Sequence, residues 1–104
     1  MKECKILKTE IRKDLKNIRY YYMYKKDIQE AVKYVGENYI SKKLAMYNDA
    51  IQKTPIQLYN LYYNLYILGY TQEYYSDKVC YNVAHVSRLN SQLINFLYTY
   101  LNNN

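Results

Sequence analysis

Residues Tyr70–Leu89 read YTQEYYSDKVCYNVAHVSRL, and their spacing predicts two short helices joined by a tight turn. Two helices that cross steeply across three or four residues need a capped first helix and a small residue where the second passes. They also need a tight turn, a second cap and inward apolar positions. Thr71 is placed to cap the first helix, which should end near Val79, with Tyr75 and Val79 facing in and Ser76 as the small crossing residue. Cys80-Tyr81 supplies the turn, Asn82 caps the second helix, and Val86 and Leu89 lock it down. The stripe continues through Leu93, Phe96 and Tyr100, leaving Asn102–Asn104 as a frayed tail.

Upstream, Thr54-Pro55-Ile56-Gln57 reads as a helix start. Thr54 is the N-cap, Pro55 takes the first helical position and Gln57 completes a capping box. That helix buries Leu58, Leu61, Leu65 and Leu68 and ends at Gly69. A helix at Ser41–Lys53 precedes it, facing Ile40, Leu44, Tyr47 and Ile51 inward. The first helix is predicted from Lys2 to Val35, closed by Gly36 and bent near Tyr20–Tyr24, at roughly 50 Å if unbroken. Its apolar stripe is Cys4, Leu7, Ile11, Leu15, Ile18 and Tyr22, and a basic stripe runs alongside through Lys5, Lys8, Arg12, Lys16 and Arg19. The expected architecture is all-α: a small bundle of about five helices, with residues 1–36 as a basic amphipathic arm or dimerisation helix and 37–104 as a helix-turn-helix domain.

The chain has 104 residues, two Gly and one Pro, which excludes a Rossmann sheet, an α/β barrel, Gly-rich phosphate loops and Pro-rich linkers. Tyr 17, Lys 12, Asn 11 and Ile 9 together make 49 of the 104 residues. All four have A/T-rich codons, so Tyr abundance is no sign of function by itself. The net charge of +6 lies wholly in residues 1–53, with 13 Lys/Arg against 7 Asp/Glu, whereas residues 54–104 hold 2 of each. Such an excess suits nucleic acid or an anionic surface. Apolar runs such as Leu65–Leu68 are far too short to cross a membrane. Cys4 and Cys80 are isolated thiols and Met1–Ile6 is no signal peptide, so a cytoplasmic protein without a membrane partner is expected.

Catalysis has little to work with. His85 is the only histidine, and no acid, nucleophile or metal-ligand set stands at a recognisable spacing from it. The chain is therefore read as a non-enzyme without cofactor or metal. Tyr20, Tyr21, Tyr22 and Tyr24, interleaved with basic residues, have the character of a base-stacking platform, but core and interface filling accounts for them more simply.

The Tyr66–Leu89 pattern resembles the region-four helix-turn-helix of sigma factors. It looks more closely like the short phage and mobile-element regulators of the ArpU and RinA kind. These carry YI-x-G-x-T-x-x-x-I-A-x-x-L-x-Y-S-x-x-x-V-x-R-L. The matching residues are Tyr66-Ile67, Gly69, Thr71, Tyr75-Ser76, Val79, Tyr81-Asn82, Val86 and Arg88-Leu89. The usual Ile-Ala is Tyr75-Ser76 here, and the usual turn Gly is Cys80.

The resemblance implies a DNA-binding regulator or DNA-processing accessory factor of a phage, plasmid or other mobile element. Double-stranded DNA is its expected partner, with a homodimer and contact with RNA polymerase or another DNA-processing protein. Asn82, Ala84, His85, Ser87, Arg88, Ser91 and Gln92 are the candidate base-reading residues. Thr71, Lys5, Lys8, Arg12, Lys16 and Arg19 are the candidate phosphate contacts. The second helix carries one Arg and no Lys from Val83 to Ile94. A helical adaptor that docks on polymerase or a DNA-processing enzyme is therefore the alternative.

Overall fold

A computed structural model describes residues 6–24 and 39–103. It is a small all-α bundle, with no strand among the described residues. Helix α1 spans Lys8–Met23, α2 Tyr39–Ile51 and α3 Ile56–Tyr62, which runs on into a π-helical turn at Tyr63–Ile67. Helices α4, Gln72–Val79, and α5, Val83–Asn102, complete the bundle. One core joins them: Ile11, Leu15 and Ile18 of α1, Tyr47 of α2, Leu61 and Tyr62 of α3, and Val86, Leu93 and Leu97 of α5 are almost fully buried.

The first helix is shorter than its apolar period predicts. It starts at Lys8 because the chain before it is held extended. The Asn102 side chain accepts from the Ile6 N–H at 2.8 Å and donates to the Ile6 carbonyl at 3.1 Å. Glu10 then accepts from the Leu7 N–H at 2.9 Å, satisfying an orphan donor of the first turn. The helix stops at Met23, with Tyr24 at φ −121°. Tyr20, Tyr21, Tyr22 and Tyr24 crowd this end with aromatics, which lose rotamer freedom in a helix. Lys2–Lys5 and residues 25–38, including Val35 and Gly36, lie outside the described residues. Asn102, expected to fray, is instead the last residue of α5 and clamps the start of the chain.

Asp14 interrupts the apolar face of α1 yet is buried. Tyr47 Oη donates to it at 2.7 Å and Lys43 Nζ at 3.1 Å, tying α1 to α2. A buried carboxylate without such partners would be strongly destabilising.

Two expectations for α3 fail for local reasons. Thr54 does not cap it: its hydroxyl donates to the Ile51 carbonyl at 2.8 Å, closing α2, and Pro55 occupies the N-cap without a side-chain bond. Gln57 reaches Tyr81 Oη at 3.4 Å rather than completing a capping box. The π turn, in which Leu68 N–H bonds to the Tyr63 carbonyl at 2.9 Å, inserts extra residues per turn. That wider winding, which starts after buried Tyr62, leaves Leu68 at 44% exposure, out of the core it was expected to fill. Gly69, at φ +80°, reverses the chain, and Tyr70 N–H bonds back to the Asn64 carbonyl at 3.0 Å.

Candidate nucleic-acid interface

Helix α4 begins where Thr71 Oγ1 accepts from the Tyr74 N–H at 3.0 Å. Buried Ser76 disposes of its own hydroxyl by donating to the Glu73 carbonyl at 2.7 Å, which lets a polar residue sit under the crossing helix. Cys80, the C-cap, adopts φ 62° and ψ 34°, and is the only non-Gly residue with positive φ among those described. Asn82 Oδ1 then accepts from the His85 N–H at 2.8 Å and starts α5. Cys80, Tyr81 and Asn82 thus form a three-residue turn between two capped helices, the local geometry a helix-turn-helix requires.

The candidate base-reading residues share one surface with two qualifications. Ala84, Ser87, Arg88, Ser91 and Gln92 are exposed, while Val86, Leu89 and Leu93 beneath them are buried. Asn82 is exposed, but its Oδ1 is committed to the cap. His85 is half-buried, edge-on to the Tyr81 ring at 4.6 Å.

The candidate phosphate contacts divide differently. Lys5 lies outside the described residues. Lys8 is exposed, with Nζ 5.2 Å from the centre of the Tyr98 ring. Arg12 and Lys16 are exposed on α1. Arg19 is half-buried and donates to the Gly69 carbonyl at 2.8 Å, so part of its guanidinium closes the end of the π turn. Thr71 is exposed at the start of α4.

Two grooves join these groups. One, of about 320 Å³, is lined by Arg12, Lys16, Arg19, Tyr66, Asn90 and Ile94. The other, of about 290 Å³, is lined by Arg19, Leu65, Tyr66, Tyr70, Thr71 and Gln72. They share Arg19 and Tyr66, so the basic side of α1 is continuous with α5 on one hand and the start of α4 on the other. Neither Asn90 nor Tyr66, which the sequence offers only as a match to the family pattern, is among the contact residues expected from sequence. Tyr66 Oη donates to Asn90 Oδ1 at 2.6 Å across 24 positions, a pairing that no spacing rule signals. Burial pushes the Tyr66 phenol above its ordinary pKa, while the charges of Arg19 and Arg12 pull it back.

Among the described residues no group of three His, Cys, Asp or Glu is placed to hold a metal ion, and no helix is long and apolar enough to cross a membrane. No family model matches the chain, and no curated protein or solved structure is detectably similar to it.

Proposed function

We propose that the protein binds double-stranded DNA through α4, its turn and α5, as a regulator or DNA-processing accessory factor of a phage, plasmid or other mobile element. One observation carries this reading. The uncovered face of α5 follows a capped three-residue turn, and the cations of α1 line a groove against the same helix. The resemblance of Tyr66–Leu89 to the ArpU and RinA pattern supports it.

The proposed mechanism divides labour between halves of the chain. Phosphate contacts give affinity without sequence information, and base-edge contacts give discrimination. In this reading the start of α5 enters the major groove. Arg88 reaches guanine, Gln92 pairs with adenine and Ala84 touches a thymine methyl. Lys8, Arg12 and Lys16 neutralise flanking phosphates, compensating for the single cation on α5.

The adaptor reading is favoured by that low charge and by exposed Tyr74, Tyr81 and Val83 around the turn, which would suit a protein partner. Footprinting on DNA flanking the protein's own gene, at low and moderate salt, separates the two. The DNA reading expects a compact protected site at both. Absence of duplex binding at moderate salt makes the helix-turn-helix a scaffold and favours the adaptor.

A further inference from the structure

We infer that the groove between α1, the π turn and α5 is an oxyanion seat for a single phosphate group, with Arg12, Lys16 and Arg19 supplying charge and the Tyr66–Asn90 pair supplying direction. This deepens the proposed DNA reading and rests on it for the choice of a phosphodiester as the natural occupant.

Three elements converge there: Arg12, Lys16 and Arg19 from α1, Tyr66 from the π turn and Asn90 from α5. Among the described residues no carboxylate lines the groove. Arg12 and Lys16 have no hydrogen bond or ion pair among the described residues, and Asp14, the buried acid of the same helix, is already paired with Lys43. Arg19 uses one N–H on Gly69 and keeps other donors of its fork. Tyr66 Oη fixes the Asn90 amide by donating to Oδ1, which leaves Nδ2 without a partner among the described residues. A volume of about 320 Å³ accommodates a phosphate with its water. The match is chemical: cations and an N–H donor, with no competing acid among the described residues. The π turn has a role in it, since its wider winding belongs to the stretch that presents Tyr66.

Asn90→Asp keeps the shape and the Tyr66 hydrogen bond but puts a negative charge in the seat. The wild-type chain is titrated with inorganic phosphate against chloride at equal ionic strength, then with a mixed-sequence duplex, following the Asn90 side-chain amide by NMR. The expected result is a saturable Asn90 shift with duplex. A matching shift with phosphate identifies the seat as selective for the free ion as well. Duplex affinity of Asn90→Asp should fall at least fivefold, with the salt slope flattened by about one unit, the loss of one phosphate contact. Circular dichroism melts confirm that the variant folds. If neither titrant moves Asn90, or if folded Asn90→Asp binds duplex as the wild type does, the seat is refuted. If phosphate moves Asn90 but no duplex binds, the seat stands and the DNA reading fails.

Discussion

Removing the hydroxyl of Tyr62 should stabilise the protein, whereas removing that of Tyr47 should damage it. Both rings are almost fully buried, so each change to Phe preserves packing and deletes one oxygen. Tyr62 Oη has no hydrogen-bond partner among the described residues, although the ring packs 5.8 Å from that of Tyr66. An unpaired buried hydroxyl costs about 1–3 kcal/mol, and Tyr62→Phe should recover about 1–2 kcal/mol of that. Tyr47 Oη donates to buried Asp14 at 2.7 Å, and bonds to charged groups contribute about 1.5–3 kcal/mol, so Tyr47→Phe should lose that much. Urea denaturation measures both. With a slope near 1.5 kcal/mol per molar, the midpoint should rise by about 1 M for Tyr62→Phe and fall by about 1–2 M for Tyr47→Phe. Alkali adds a second signature. Burial pushes the Tyr62 pKa above its ordinary value of 10.0. Above that pH the unfolded phenol releases its proton while the folded one keeps it, so native stability falls as pH rises. Tyr62→Phe lacks this loss, and its advantage should widen above about pH 10. Equal destabilisation by the two variants would refute the reasoning.

Cys80 occupies the left-handed region at φ 62°, at a strain of about 1–2 kcal/mol, partly offset because Gly there would order a freer chain. Cys80→Gly should therefore raise stability by about 0.5–1 kcal/mol, read as a higher melting temperature, and a lower one would contradict the strain. Self-association is expected through exposed Tyr20, Met23, Tyr24 and Leu68. Sedimentation equilibrium at micromolar concentration checks it, and a clean 12.7 kDa monomer would refute it.

Features set by neighbouring residues were legible in the sequence. Thr71 and Asn82 cap as their side chains dictate, Cys80 takes the turn position, and Val86, Leu89 and Leu93 face inward at helical period. Features set by competition or by distance were not. Thr54 had two carbonyl and amide partners within reach and chose the end of α2. Leu68 kept the period of an α-helix that the chain abandons at Tyr63. The long first helix extrapolated a stripe that is helical only from Lys8, after Ile6, which Asn102 holds from 96 positions away. The covering of Ile11, Leu15 and Ile18 by the protein's own core also narrows the case for a dimer to the exposed end of α1. In the site, the outer face of α5 followed from its burial pattern, apart from half-buried His85. The groove did not, because Tyr66 and Asn90 meet only once the bundle is packed.

Whether α5 reads bases while α1 holds phosphates is decided by selecting bound duplexes from a random-sequence library. Wild-type protein and Arg88→Ala are run side by side. One enriched motif is expected for the wild type. Arg88→Ala should bind that motif more weakly by about 1–3 kcal/mol, with relaxed preference at one base pair and unchanged affinity for scrambled DNA. No enriched motif, or one that Arg88→Ala selects with the same strength, would contradict that division.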